Sequence, residues 1–328
     1  MVALFLLIFV FRKIILDRLV KNKPKKTKKT VIIAGYECNN NCSFCVDLDR
    51  RKFSSKSTEQ IKKEILQAKK RGTTYLEFIG GEMTIRPDFV QLVKFANDLG
   101  FKTIMMATNG RMLSYFEYAK KLTDAGLNSV VFSIHGHNAK LHDSLTQAKG
   151  SFEELKRGFE NTKKLIGIQA IGSNTTVVKQ NYKSLDKIGG FILGLGITNA
   201  EFIFVDCNEG GAYNDFFNFV PKISEAAPYI RKYLDLAENQ KTWHWDIRYV
   251  PLCYFQDYLE QISELKEVKH FHTEHLAPEF INKDVEASRP IAGRIKTKRC
   301  EGCKLYDRCE GIWRNYVKHY GDEELIKI

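Results

Sequence analysis

The residues Cys38-Asn39-Asn40-Asn41-Cys42-Ser43-Phe44-Cys45 place three thiols within eight positions, in the spacing C-x3-C-x2-C. A 4Fe–4S cluster is normally held by four thiolates, one for each iron. Three thiolates leave one iron without a protein ligand, and such an open position is where substrate chemistry takes place. The alternatives for this stretch are a zinc site and three unrelated thiols.

The composition sets limits on the fold and the environment. The 328 residues are enough for one large α/β domain with an appendage, and a hydrophobic fraction of 44% can supply its core. The formal net charge of +12 allows an anionic partner, either nucleic acid, a membrane surface or an acidic peptide. No dedicated nucleic-acid-binding module is visible. Six of the eight cysteines lie in two clusters at metal-ligand spacing, which requires reduced thiols and predicts a cytoplasmic location.

Residues 1–30 predict an apolar N-terminal helix followed by a basic tether. Residues 1–11 are all apolar, and six lysines lie between Lys21 and Lys29. Such a run makes about 16 Å of helix, roughly half of a bilayer core. We therefore expect residues 1–29 to lie at the cytoplasmic face of a membrane, with anionic lipids facing the lysines. A helix packed against the rest of the protein is the alternative.

Strand and helix patterns alternate between residues 31 and 211. Capping-box sequences at Ser57, Ser114 and Ser151 each predict the start of a helix. Units of about 30 residues predict parallel strands with right-handed crossovers, whose C-terminal ends share one edge. Six units are too few to close the usual eight-stranded barrel. The six predicted strands are residues 31–36, 73–79, 101–107, 129–134, 168–178 and 200–205.

With the aromatic Phe44 before the third cysteine, the loop resembles the radical S-adenosylmethionine (SAM) superfamily. The resemblance covers residues 31 to 310 and implies an α/β fold, a partial (β/α)6 TIM-type barrel open on one side. It also implies a 4Fe–4S cluster on Cys38, Cys42 and Cys45, whose free iron binds SAM. One electron, from a reduced donor such as flavodoxin or ferredoxin, would cleave SAM to a 5′-deoxyadenosyl radical.

The resemblance further assigns SAM contacts to residues at the strand ends. The segment Gly80-Gly81-Glu82 follows the second strand and would bind the SAM amino group, through glycines that permit close approach and a carboxylate that accepts from an ammonium. Residues matching the family's ribose and carboxylate contacts follow the third and fourth strands. The cofactor-binding candidates are Phe44, Gly80, Gly81, Glu82, Asn109, Ser133 and Asn174, the last with an ordinary polar barrel residue as its alternative.

Cys207 is the catalytic candidate. It follows the sixth predicted strand, at the mouth of the barrel. In the family, radical epimerases use a thiol there to donate a hydrogen atom to a substrate radical. An inert buried thiol is the alternative.

Residues 212–328 predict a small cysteine-rich extension. The spacing Cys300-x2-Cys303-x5-Cys309 is similar to that of SPASM and the shorter Twitch extensions, which hold auxiliary 4Fe–4S clusters. A full SPASM module has a further cysteine where this chain has Trp313. Adding Cys253 gives four thiols, the number that one fully ligated cluster needs. The alternatives are a zinc site of four cysteines, and a cluster with an open iron if Cys253 is not a ligand.

The resemblance thus predicts a radical SAM enzyme that abstracts hydrogen from a substrate. We expect a peptide or protein side chain as the substrate, with a membrane lipid or a small cofactor or sugar precursor as alternatives. The hypothesis from another class is a non-catalytic membrane-associated Fe–S or zinc scaffold. Such a scaffold would have no need for Gly80-Gly81-Glu82 or for the polar residues at the strand ends.

Overall fold

The computed structural model describes residues 26–239 and 244–328. The predicted N-terminal helix and most of the basic tether lie outside these ranges. Within them, no helix combines the length and the apolar character needed to cross a bilayer.

One nine-stranded sheet organises the structure, in the order β7-β6-β5-β4-β3-β2-β1-β8-β9, and all neighbours except β8 and β9 pair in parallel. The strands are β1 (Thr27–Ile33), β2 (Tyr75–Ile79), β3 (Thr103–Thr108), β4 (Ser129–Ser133), β5 (Ile171–Val177), β6 (Asn199–Phe204), β7 (His244–Arg248), β8 (Phe271–Leu276) and β9 (Ile281–Asn282). A separate hairpin pairs β10 (Arg294–Ile295) with β11 (Ile312–Trp313).

Helices follow the strands as the βα pattern predicts. They are α1 (Thr58–Lys70), α2 (Phe89–Asp98), α3 (Phe116–Asp124), α4 (Ala139–Thr146), α5 (Ser151–Ile166), α6 (Leu185–Gly194), α7 (Gly210–Asn214), α8 (Phe216–Phe219), α9 (Ile223–Asn239), α10 (Ser263–His270), α11 (Val285–Ala292) and α12 (Arg314–Tyr320). The capping box at Ser57 is present, with Gln60 as its partner. The other two predicted boxes are wrong, because α3 begins after Tyr115 and Ser151 is already inside α5.

Period-2 alternation along the strands separates the outer core from the barrel interior. Phe78 on β2, Met106 on β3 and Phe132 on β4 are fully buried in the main hydrophobic core. Their neighbours in sequence point to the opposite face of the sheet. Ser133 at the C-terminal end of β4 is paired with Asn174 in the middle of β5, so these two polar residues lie side by side.

The barrel prediction is confirmed, and the extension adds to it. Besides the six predicted strands, β7 and β8 join the two edges of the sheet in parallel, so eight parallel strands curve around the interior. The sequence 271–276 (FHTEHL) has no continuous apolar run, which is why a strand was not predicted there. In the part of the chain that the structure describes, β7 and β8 are not hydrogen-bonded to each other, so the barrel is not closed.

The N-terminal boundary also differs from the prediction. A tether was expected through Thr30, but β1 begins at Thr27 and pairs with both β2 and β8. The two lysines in this strand have separate partners: Lys28 Nζ donates to the carbonyl of Arg71 at 2.6 Å, and Lys29 forms an ion pair with Glu77. Their charges are therefore compatible with strand pairing.

Ion pairs join β7 to α10 and α11. Arg248 on β7 donates to both carboxylate oxygens of Glu267 on α10, at 2.7 and 3.1 Å, and Arg289 on α11 donates to the same carboxylate at 2.7 Å. Although burial acts in the opposite direction, these arginines hold the pKa of Glu267 at about 2. The carboxylate therefore stabilises the fold when it is charged.

We predict that Glu267→Gln lowers the free energy of unfolding at pH 7 by about 3 kcal/mol, because it leaves two arginines without their shared partner. The depressed pKa means that this stability is present above the ordinary glutamate pKa and is lost as the pH falls towards 2. Urea unfolding followed by circular dichroism at several pH values measures both effects.

Glu153→Gln is the matched control, because Glu153 pairs with Lys156 on an exposed helix face. We expect it to change the free energy of unfolding by less than about 0.5 kcal/mol. An equal effect of the two substitutions would contradict a bridging role for Glu267.

Candidate functional site

The three-cysteine loop follows β1 at the C-terminal edge of the sheet, and its thiols are half-buried. Burial, followed by the nearby Cys45 and Cys38 thiols, raises the pKa of Cys42 to about 12. Burial also raises the pKa of Cys45 to about 11. The three thiols are therefore close enough to influence one another, and a cationic iron centre would have to displace their protons on binding.

Each of the three asparagines inside the loop is held by a different part of the protein. The side-chain oxygens of residues 39, 40 and 41 accept, in that order, from Asn109 Nδ2 (2.7 Å), Arg111 Nη1 (3.1 Å) and Arg51 Nη1 (2.8 Å). Asn109 Nδ2 also lies 3.7 Å from Cys38 Sγ. Sequence analysis missed Arg51 and Arg111, because only the tertiary fold brings them to the loop.

Two glycines after β2 let the cysteine loop approach closely. A Cβ at Gly81 would lie 1.9 Å from the carbonyl oxygen of Glu37, and one at Gly80 would lie 2.5 Å from that of Gly35. The backbone N–H of Gly81 donates to Gly35 O at 3.0 Å. The glycines thus allow the backbone after β2 to contact the backbone of residues 35–37, in addition to any contact with a ligand.

The Glu82 carboxylate is 3% exposed and already has protein partners. One oxygen accepts from Thr84 N, Thr84 Oγ1 and Thr108 Oγ1, at 3.1, 2.6 and 2.8 Å, and the other accepts from Asn109 N at 2.7 Å. Burial raises its pKa, and these hydrogen bonds oppose the rise. The structure argues against this side chain as the partner of a SAM ammonium, since an ammonium would compete with four protein donors.

Phe44 and the polar strand-end residues meet at the same edge of the barrel. The Phe44 ring contacts His135 edge-on, with ring centroids 5.1 Å apart. Burial lowers the pKa of His135 to about 3, so this ring is neutral. Asn109 directly follows β3, Ser133 ends β4, and Asn174 lies in the middle of β5 beside Ser133. Their contact with SAM stays a prediction.

The loop after β6 packs against the cysteine loop from the other side. Gly211 N donates to Cys45 O at 2.9 Å, and a Cβ at Gly211 would lie 1.8 Å from Ser43 O. The same loop reaches the C-terminal extension, because Asn208 Nδ2 donates to Gly293 O at 2.9 Å. One short segment therefore connects the cysteine loop to the extension.

Cys207 lies inside the core and has no exposed surface. Burial raises the pKa of its thiol far above the ordinary value. Hydrogen-atom donation requires contact between the thiol and the substrate radical, so this position argues against the predicted role. The alternative, an inert buried thiol, fits the structure better.

The four cysteines of the extension share one cavity. Cys253, Cys300, Cys303 and Cys309 all line it, together with Lys296 and Arg299. Backbone N–H groups of Leu252 and Gly311 donate to Cys309 Sγ at 3.5 and 3.3 Å. Such donors and nearby cations favour thiolates that carry a metal centre. The fold therefore brings Cys253 to the other three, across 46 intervening residues.

Across residues 26–239 and 244–328, only His272, Asp284 and Glu286 bring three ligating atoms within 4.8 Å of one another.

The His272 group itself is part of the fold. Both oxygens of Glu286 accept from Thr273, at 2.9 and 2.6 Å. Its carboxylate holds β8 to α11, which leaves no free ligand set at this position.

Comparisons with known proteins agree with this geometry. The model of the Radical SAM superfamily matches residues 32–192. A 7,8-dihydro-6-hydroxymethylpterin dimethyltransferase from Methanocaldococcus jannaschii is 31% identical over 173 residues, which are 50% of this chain and 33% of that protein. A probable GTP 3',8-cyclase from Sulfurisphaera tokodaii is 26% identical over 215 residues, 65% of this chain and 66% of that protein. This chain thus spans a third to two thirds of the length of these two relatives.

Among solved structures, Streptococcus suis SuiB bound to precursor peptide SuiA aligns with a TM-score of 0.61 and 16% identity, over 97% of this chain and 78% of that one. The likeness supports the fold: a parallel α/β barrel with a C-terminal extension.

We predict that Gly211→Ala displaces the cysteine loop, since its Cβ cannot fit beside Ser43 O. After anaerobic reconstitution with iron and sulfide, the variant should retain clearly less iron per chain than the wild-type protein. Iron and sulfide assays measure this, and thermal unfolding before reconstitution shows whether the loop alone or the whole fold is affected.

Gly190→Ala is the matched control, because Gly190 lies in α6 with no heavy atom within 4 Å of an added Cβ. It should keep the wild-type iron content and be neutral or slightly stabilising. Full iron content in Gly211→Ala would show that the close contact is not needed.

Proposed function

Because the chain belongs to the radical SAM superfamily, we propose that it reductively cleaves SAM at a 4Fe–4S cluster held by Cys38, Cys42 and Cys45. The observation that supports this most directly is the three-thiol loop, fixed on both sides by backbone contacts and open at a fourth position. The bound cluster and SAM supply the redox chemistry and the 5′-deoxyadenosyl radical, which abstracts hydrogen from the substrate.

The chain's own residues orient the loop and exclude water from it. Asn109 Nδ2 donates towards Cys38 Sγ, and the backbone N–H of Asn109 donates to the Glu82 carboxylate. Phe44, Ser133 and Asn174 provide an aromatic face and two polar side chains for SAM. The glycines at 80 and 81 leave no side chain between the loops.

We propose an auxiliary 4Fe–4S cluster on Cys253, Cys300, Cys303 and Cys309, in a Twitch-like extension. The shared cavity and the N–H donors on Cys309 support it. With four thiol ligands the cluster would be saturated, which suits electron transfer better than direct binding of a substrate.

We propose a peptide or protein side chain as the substrate. The fold of the whole chain resembles that of SuiB, which was solved with its precursor peptide. A small cofactor precursor is the second candidate, because the relatives most similar in sequence include a pterin dimethyltransferase and a probable GTP 3',8-cyclase. The membrane contact proposed for residues 1–29, and with it a lipid substrate, rests on sequence alone.

The reducing electron would come from a carrier such as flavodoxin or ferredoxin. Directly after the cysteine loop, the short helix Leu48–Lys52 has three basic residues in its last turn. Arg50 is paired with Glu209 and Glu279, and Arg51 binds Asn41, so Lys52 is the residue of this turn that would contact an acidic carrier. The proposed location is a reducing compartment, since both cysteine groups must stay unoxidised.

We predict that the reconstituted protein forms 5′-deoxyadenosine from SAM with dithionite, and that Cys42→Ala abolishes this product. Product is measured by liquid chromatography under anaerobic conditions. The substitution Glu153→Gln on the exposed face of α5 should leave the rate unchanged. Iron-loaded wild-type protein that forms no 5′-deoxyadenosine would favour the scaffold hypothesis.

We predict about eight irons per chain in the wild-type protein and about four when Cys300 and Cys309 are both changed to alanine, because two remaining thiolates are too few to hold the auxiliary cluster. Cys207→Ala is the control for loss of a thiol as such, and should keep the wild-type iron content because the side chain lies in the core. One zinc with about four irons would support a zinc site in the extension instead.

A further inference from the structure

Arg294 is the largest unexplained polar group in the extension. It lies on β10 with 1% exposure, and its Nη2 donates to Gly311 O at 2.8 Å. Nε and Nη1 are buried and have no hydrogen-bond partner in the part of the chain that the structure describes. Because a guanidinium is always charged, leaving two of its donors buried and unpaired costs free energy unless another group accepts them.

Two further unpartnered atoms accompany it. Trp313, which pairs with Arg294 across the β10–β11 hairpin, has a buried Nε1 without an acceptor. Glu264 on α10 uses one oxygen to accept from Tyr249 N at 2.6 Å, while its second oxygen is buried without a donor. Arg294 is also the largest charge acting on Glu264, so the two groups are close.

Tyr249 joins these residues into one site. Its ring lies 4.8 Å from that of Trp313, and the Arg294 guanidinium lies 4.8 Å from the Trp313 ring and 5.6 Å from the Tyr249 ring. Tyr249 also has φ +67°, a conformation that aromatic residues rarely adopt. Strain of this kind is found mainly where a structure must hold a ligand site in place.

The site lies between the two cysteine groups. The preceding residue, Gly293, accepts from Asn208 in the loop after β6. Burial raises the pKa of Asp206 in that loop to about 6, and the positive charge of Arg294 opposes the rise. Arg294 Nη2 donates to Gly311 O, two residues after Cys309. A ligand held here would therefore lie between the barrel mouth and the auxiliary cluster.

We propose that Arg294, Trp313 and Glu264 bind a substrate carboxylate that has an N–H group beside it, as on an amino acid or a peptide. The unpaired donors of Arg294 and Trp313 suit the carboxylate oxygens, and the free Glu264 oxygen suits the neighbouring N–H. A phosphate dianion fits less well, because Glu264 and Asp206 would repel it. This assignment names a group of the substrate that the protein would recognise. Its interpretation as a substrate site rests on the proposed function.

Isothermal titration calorimetry of the full chain, kept anaerobic and without SAM, tests the site directly. N-acetylglycine, acetate and inorganic phosphate are titrated separately at equal ionic strength. The wild-type protein should bind N-acetylglycine more tightly than acetate, which lacks the N–H, and phosphate most weakly. Arg294→Gln should weaken N-acetylglycine binding at least about tenfold, since a charged hydrogen-bonding group is lost.

Two further variants make the result specific. Arg294→Lys keeps the charge but loses the planar pair of donors, so it should also bind N-acetylglycine more weakly. Arg314→Gln changes an exposed arginine next to Trp313 and should keep the wild-type affinity. Circular dichroism melting shows whether each variant is folded.

Three outcomes would overturn the proposal: no binding of N-acetylglycine to the wild-type protein, equal binding to folded Arg294→Gln or Arg294→Lys, or phosphate as the tightest of the three probes. Formation of 5′-deoxyadenosine by the wild-type protein is measured separately. Its absence would overturn the proposed function, while the carboxylate site would be judged by calorimetry alone.

Discussion

The cysteine loop depends on close contact between backbones. Gly81 on one side and Gly211 on the other bring their segments so near to residues 37 and 43 that no side chain fits between them. Hydrogen bonds from Gly81 N to Gly35 O and from Gly211 N to Cys45 O complete both contacts. A loop with three metal-binding thiols has few apolar side chains to pack, so neighbouring loops must hold it by other means. Main-chain contact does so without occupying the space that the open iron needs.

Buried polar groups then fix the side chains around this loop. The Glu82 carboxylate accepts hydrogen bonds from Thr84, Thr108 and the backbone N–H of Asn109. The Asn109 side chain in turn donates to Asn39 and lies near Cys38 Sγ. A carboxylate with four donors tolerates deep burial, whereas one without partners would take up a proton. The interior of the barrel is thus organised by hydrogen bonds where the chemistry is proposed, and by apolar packing where the helices cover the sheet.

The C-terminal extension is integral to the barrel. It supplies β7 at one edge of the sheet and β8 with β9 at the other, and ion pairs from Glu267 to Arg248 and Arg289 join β7 to α10 and α11. The loop after β6 and the β10–β11 hairpin are joined through Asn208 and Gly293. Changes around the auxiliary cysteines can therefore reach the barrel mouth through a few direct contacts.

The sequence by itself determined the alternation of strands and helices, the three-thiol loop and the C-terminal cysteine spacing, because these depend on local periodicity and on residues close together in the chain. It misplaced the start of β1 and missed β8, because lysines and histidines interrupt the apolar pattern of these strands. Their charges are compensated by residues distant in sequence. Only the tertiary structure decided that Cys253 joins the other three thiols, that Cys207 is buried, and that Arg51, Arg111 and Arg294 surround the proposed centres. These are contacts between residues far apart in sequence, and no local pattern encodes which of many similar side chains will meet.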